Sequence, residues 1–316
     1  MEFDISESDF VELASAAPAI IVLLAKAGPV AISPLDAYAS ISGTFSYLLE
    51  SVEKEKRHAR FSFVGSDPDA VVTLKDRNVT IEYNERTELI GFIKESMKNV
   101  CDVREVPGKL TGEVKPGYDS LDAIRCAFPT SCGAAYLNRT GFDRQCFLGG
   151  GIGFTAYDVI YDAWLDVRTK VSDATDMQFT LVSKTVLFDH LTDSVFIALS
   201  PFVSGSSDPH IVYRNAKREA EKIERRLSAN VAAPGKGCSG SALSCSMSQD
   251  EFQRAVSTAK KHIIDGDIFQ AVLSRRYEIT TDRTPFELYT ALRSVNPSPY
   301  MYLFEFNGTS IIGASP

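Results

Sequence analysis

The sequence contains no CxxC pair; its six cysteines, Cys101, Cys126, Cys132, Cys146, Cys238 and Cys245, are scattered along 316 residues. That spacing excludes the tight clusters of zinc ribbons, and a disulfide framework belongs to small secreted chains, so the thiols are expected to be reduced. Histidine is scarce too. His58, His190, His210 and His262 stand apart from one another and from the cysteines, which leaves a zinc site only to tertiary accident. Positive charge is in deficit: 33 Lys and Arg against 41 Asp and Glu give a net charge of −8 and a pI near 5.2. A polyanion needs a basic face, so nucleic acid is not an expected partner. The N-terminus, "MEFDISESDFVELASAAPAI", has no basic region ahead of an apolar one and is not read as a secretory signal. The longest apolar run, Ala17 to Ile32, is interrupted by Lys26, Gly28 and Pro29 and is too short to span a bilayer. These absences predict a soluble, cytoplasmic protein with no membrane partner. What remains is a globular composition, 44% hydrophobic and 23% charged, long enough for about two domains.

Periodicity gives the organisation. "ARFSFVGSDPDAVVTLKDRNVTIEY" alternates apolar and polar residues around turn residues and predicts an antiparallel meander. In "TELIGFIKESMKNV", Leu89, Ile90, Ile93 and Met97 fall on one helical face; beyond it the chain reads as irregular through Pro129. Strands resume with "CFLGGGIGFTAYDVI" and with two β-rich runs flanking a His-Leu-Thr-Asp turn. Val212, Ala216, Ala220, Ile223 and Leu227 then mark a helix, followed by the Gly-, Ser-, Ala- and Pro-rich stretch "SANVAAPGKGCSGSALSCSMS", a linker. The domain boundary is therefore set near residue 240. Past it, Ser248 and Glu251 form a capping box for a helix with the stripe Phe252, Val256, Ala259 and Ile263, ended by Gly266. A strand "IFQAVLSRRYEI", a helix opened by Thr284 and Pro285, and a hairpin turning at Asn307-Gly308 complete the chain. The fold class is α+β, rich in antiparallel strands.

Isolated motifs say little. "LGGGIGF" (Leu148 to Phe154) lacks the Lys-Ser/Thr of a phosphate loop, and glycines beside a strand mark close packing. "EKEKRHAR" (Glu53 to Arg60) reads as a solvated turn, and "DGD" (Asp265 to Asp267) as a helix end. No Ser-His-Asp or Cys-His arrangement is suggested.

Three stretches in order carry more: "SYLLESVEKEKRHARFSFVG" (Ser46 to Gly65), "IIDGDIFQAVLSRRYEI" (Ile263 to Ile279) and "NPSPYMYLFEFNGTSIIGASP" (Asn296 to Pro316). Together they resemble the large, chorismate-using subunit of anthranilate synthase, component I, over essentially the whole chain, most weakly between Val100 and Phe147. The resemblance implies a β-sandwich with helices, and a lyase that converts chorismate and ammonia to anthranilate and pyruvate in tryptophan biosynthesis. It implies Mg²⁺ as cofactor, a glutamine amidotransferase subunit (component II) as partner, and feedback inhibition by L-tryptophan. The effector would sit at Ser51, Pro299, Tyr300 and Met301, where a stiff Ser hydroxyl and a strand start fixed by two prolines hold polar groups still. The family's Mg²⁺-holding glutamates, general-acid/base His and Gly-rich chorismate segments follow the Gly-Ala-Ser-Pro step. None is found here, so the catalytic residues are expected beyond Pro316. The chain is expected to be C-terminally truncated and inactive alone, with residues 1–240 regulatory and 241–316 the beginning of the catalytic domain. Two other readings fit the same residues: the related aminodeoxychorismate synthase component I of the folate pathway, and a non-catalytic amino-acid-binding regulatory protein.

Overall fold

The computed structural model describes residues 1–28, 32–52, 60–138, 142, 145–165, 174–228 and 243–315. The chain divides into two compact units, Met1–Ala232 with Tyr289–Pro316, and Ala233–Leu288. The boundary expected near residue 240 falls within 229–242, outside the described residues.

The chain opens with α1 (Glu7–Ala14), started by a reciprocal Ser6–Asp9 capping box, and with short strands β1 (Ala19–Ile21) and β2 (Leu23–Lys26). Ser33 caps α2 (Pro34–Ile41), which buries Ala37, Tyr38 and Ile41. Strands β3 (Ser46–Glu50) and β4 (Phe61–Ser66) precede the hairpin of β5 (Ala70–Lys75) and β6 (Asn78–Glu82). That hairpin turns tightly on Asp76 and Arg77, both at positive φ. Helix α3 (Glu88–Met97) buries Ile90, Ile93 and Met97, the face its spacing predicts. Where the sequence reads as irregular there is order instead. A hairpin, β7 (Cys101–Val106) and β8 (Lys109–Val114), turns at Gly108 with φ 74°, and α4 (Ser120–Arg125) follows under an Asp119–Asp122 capping box. Next come β9 (Ala135–Leu137), β10 (Gly150–Thr155), α5 (Val159–Ala163), β11 (Met177–Val182), β12 (Lys184–Asp189), β13 (Ser194–Leu199) and β14 (Phe202–Val203). Helix α6 (Pro209–Leu227) buries Ala216, Ala220, Ile223 and Leu227. The remainder is β15 (Ser244–Cys245), α7 (Gln249–Ile264), β16 (Tyr277–Glu278), α8 (Pro285–Val295), β17 (Tyr300–Phe306) and β18 (Thr309–Ser315).

Two large sheets dominate the first unit: a seven-stranded one in the order β18-β17-β3-β4-β12-β13-β2 and a six-stranded one in the order β10-β11-β5-β6-β8-β7. Both are antiparallel throughout, as the α+β reading requires; the small sheet β14-β1-β9 contains a parallel pair, β1 with β9. The expected meander does not stay in one sheet. β4 belongs to the seven-stranded sheet and β5 to the six-stranded one, because Asp67 takes φ 51° and redirects the chain. The first β-rich run likewise divides, crossing between sheets at the single residue Ser183. The two crossings are neighbours, with Asp69 N–H donating to the Leu181 carbonyl at 2.8 Å. The main core lies under the six-stranded sheet, where Val72, Leu74, Ile81 and Leu110 meet Ile90, Ile93 and Met97 of α3. Each fully buried side chain of this kind contributes about 1.5–3 kcal/mol. The two sheets touch through Tyr47, Ile152 and Val182, with Phe63, Phe147 and Phe304 packed around them.

Residues from Tyr289 onward belong to the first unit, because β17 pairs with β3 in the register Leu303↔Leu48. Residues 241–316 are thus apportioned between the two units. In the β17–β18 hairpin Phe306 faces Thr309, and of the turn residues Gly308 alone has positive φ, so the turn is not the mirror-image type that Asn-Gly suggests.

In the second unit α7 has its predicted Ser248–Glu251 capping box and ends at Gly266, φ 83°. Its stripe is only half buried at Phe252, Val256 and Ala259 and exposed at Ile263. The strand expected over "IFQAVLSRRYEI" shrinks to Tyr277–Glu278, because its one sheet partner is the two-residue β15, and Phe269 and Val272 are exposed. Among the described residues no helix is long and apolar enough to cross a membrane.

Candidate functional site

Strand β3 ends at Glu50, paired with Met301 of β17, and beyond the ladder the two chains stay joined. Val52 N–H donates to the Ser298 carbonyl at 3.1 Å, and Ser51 Oγ donates to the Pro299 carbonyl at 3.0 Å. Two stretches 248 positions apart thus share one polar corner. The prolines at 297 and 299 shape it by fixing φ and offering no N–H, so this segment joins its neighbour through its carbonyls, those of Ser298 and Pro299. Ser298, itself buried, donates its hydroxyl to the Ser315 carbonyl and holds the corner from the other side.

The corner is built outward in two directions. Ser51 N–H donates to Ser62 Oγ at 3.1 Å, and Ser62 Oγ lies 2.7 Å from His190 Nε2. Next to His190, Asp189 receives Arg60 through two bonds, Nε at 2.8 Å and Nη2 at 2.7 Å, and also the Thr192 hydroxyl at 2.9 Å. The Arg60 guanidinium, against the opposing effect of burial, holds the Asp189 carboxyl down at about 2. Arg60 also lies over the Phe61 ring, 4.8 Å from its centroid, so the end of the charge run is anchored rather than solvated; residues 53–59 lie outside the described residues.

On the other side Glu50 is 4% exposed and carries a full complement of donors. Tyr289 Oη donates at 2.8 Å, and Arg293 donates from Nε at 2.8 Å and Nη2 at 2.9 Å. Burial, and then the Glu50 charge, push the Tyr289 phenol up, so it remains a donor. Tyr289 and Arg293 are four apart on α8, which places them on one face toward the carboxylate.

Of the four residues predicted for the effector, the structure brings Ser51 and Pro299 into direct contact. Strand alternation sends the other two to opposite faces: Tyr300 is 62% exposed, whereas Met301 is 1% exposed and part of the core. Sequence reasoning missed Glu50, Ser62, His190 and Arg293. A signal for one existed, since an acidic residue closing the apolar strand "SYLLE" needs a buried partner. The others are joined by tertiary folding alone. Among the described residues no three His, Cys, Asp or Glu side chains are grouped so as to hold a metal ion, so these residues do not fit a Mg²⁺ site.

The fold and this corner define an antiparallel α+β protein with a buried polar junction between its early and late segments. The chain belongs to the chorismate binding enzyme family, whose pattern it matches over residues 133–316. It is 36% identical over 341 residues to anthranilate synthase component 1 2 of Haloarcula marismortui, covering 100% of this chain and 59% of that protein. It is 28% identical to the chloroplastic anthranilate synthase alpha subunit 1 of Arabidopsis thaliana, covering 86% of this chain and 44% of that one. A crystal structure of anthranilate synthase component I from Streptococcus pneumoniae aligns with a TM-score of 0.48 at 22% identity, covering 92% of this chain and 57% of the other. The chain thus spans 59% of the length of the first of these relatives.

Proposed function

We propose that the chain is part of the large subunit of a cytoplasmic anthranilate synthase, a lyase converting chorismate and ammonia to anthranilate and pyruvate for tryptophan biosynthesis. Ammonia would come from a glutamine amidotransferase subunit, component II, and Mg²⁺ would be the cofactor of the whole enzyme. Relatives of that name in an archaeon and a plant support the reaction. The junction supports the regulation: the single observation that carries it is the Ser51 Oγ to Pro299 carbonyl contact at 3.0 Å.

L-Tryptophan would bind at Ser51 and residues 299–301. The Pro299 carbonyl uses one lone pair on Ser51 and keeps another, and Ser51 Oγ remains an acceptor, so both can take an ammonium group. The exposed ring of Tyr300 offers a flat apolar surface for an indole. Met301, on the inner face, would act by fixing the strand rather than by touching the ligand. An effector bound across the corner stabilises whichever arrangement keeps β3 and β17 joined, and inhibits only to the extent that it favours that arrangement.

The test is thermal denaturation of the chain with increasing L-tryptophan. Occupied at a hundred times its dissociation constant, the site should add about 2.7 kcal/mol of stability. Ser51→Phe should remove that gain, and an equal gain in the variant would refute the assignment.

A further inference from the structure

A cavity of about 590 Å³ lies in the first unit where the chain crosses between the two sheets. It is remote from the corner just described: Ser183, at its wall, precedes β12, whereas Asp189 and His190 stand at that strand's far end. Its volume is typical of small-molecule sites. Leu181, Phe202, Ile211, Val212, Ile20 and Phe128 give it an apolar body. Gly149 and Gly150 form part of the wall with φ 139° and 135°, and a Cβ on Gly149 would strike Ser200 Oγ at 2.1 Å. These two glycines of "LGGGIGF" therefore border a pocket, but one without the cation a phosphate needs.

Among the described residues, the charged side chains lining the cavity are all acidic: Asp69, Glu88 and Asp208. No Lys, Arg or His among the described residues lines it. Two of the three carboxylates are already supplied with donors. Glu88 takes the hydroxyls of Ser204, Ser206 and Ser207, and Asp208 caps α6 by accepting from the N–H groups of His210 and Ile211. Asp69 has the Ser183 hydroxyl and the attraction of Lys184, which is itself shared with Glu219 at 3.6 Å. Its carboxyl is pushed up, first by burial, so the Ser183 hydroxyl and Lys184 compensate its charge only in part.

We propose that this cavity is a binding site for a small amphiphilic amine, with an aromatic or branched apolar body in the pocket and one ammonium group on the Asp69 carboxylate. An organic cation matches both properties of the wall, since it fills apolar volume and neutralises the one under-compensated charge. The same charges exclude anions. Chorismate, with two carboxylates, would meet only like charge here, so the pocket is not the substrate's.

Calorimetric titration of the chain with tryptamine and 2-phenylethylamine, against the anionic isosteres indole-3-propionate and 3-phenylpropionate, tests this. The amines should bind and the acids should not, and Asp69→Asn should weaken the amines at least tenfold with unchanged circular dichroism. Ile211→Trp, at a partly exposed position on the cavity wall, should block the amines by filling the space and serves if Asp69→Asn does not fold. Absence of amine binding, equal binding of amines and acids, or undiminished binding in either folded variant would overturn the proposal.

Discussion

Replacing Arg293 with methionine is expected to destabilise the first unit by about 2 kcal/mol. The reasoning starts from Glu50, whose side chain is 2% exposed and whose carboxylate accepts three hydrogen bonds, two of them from Arg293. Methionine keeps much of the arginine's apolar stem but removes both charged donors, leaving a buried anion with one phenol. Removing one partner of a fully buried ion pair costs about 3–5 kcal/mol. Arg293 is itself 35% exposed, so water reaches the vacated side and reduces the penalty. Glu50→Gln should cost less, about 1 kcal/mol, because a neutral amide still accepts from Tyr289. In the double variant the buried charge is gone, so the losses should fall short of additivity by about 1 kcal/mol. Urea denaturation followed by far-UV circular dichroism gives all three values. A loss below about 0.5 kcal/mol for Arg293→Met, or strict additivity in the double variant, would show that the carboxylate does not depend on α8.

The Asp189 carboxyl is depressed when folded, so its stabilisation is complete above the unfolded value near 4 and is lost as pH falls toward about 2. Asp189→Asn should therefore flatten the stability profile between about pH 4 and pH 2, measured by acid titration of the denaturation midpoint. Gly153→Ala should be severe, about 3 kcal/mol or a failure to fold, because its Cβ would lie 1.8 Å from the Gln178 carbonyl oxygen across the β10–β11 ladder. Gly205→Ala, with nothing within 4 Å, should change the denaturation midpoint little and serves as the comparison.

Elements that carry their own periodicity and caps were legible. Helix α6 buries Ala216, Ala220, Ile223 and Leu227 as their spacing demands, and α7 begins at the Ser248–Glu251 box, since both signals act within one or two turns. The β7–β8 hairpin is also written in the sequence, in the alternation of Cys101 and Val103 and the Pro107-Gly108 turn, but the charged residues Asp102, Arg104 and Glu105 mask it. The crossing of β11 to β12 had no local signal, and the Asp67-Pro68 turn between β4 and β5 marks a bend without saying which sheet the next strand joins, because a strand that changes sheets keeps its alternation. At the candidate site, Ser51 and Pro299 came from a resemblance between ordered motifs, whereas their neighbours Ser62, His190 and Arg293 are brought in by pairings that no short-range pattern encodes.

That shared crease has a consequence for how the molecule is made. Strands β4 and β12 are partners on one side of it, and their continuations β5 and β11 are partners on the other, in the register Leu74↔Met177. Neither ladder can be completed until segments roughly a hundred positions apart have met, and when they do, both are nucleated by the same encounter. Assembly should accordingly be slow and all-or-none across the two layers, and a cut in the chain at the crease should yield two insoluble pieces rather than two domains.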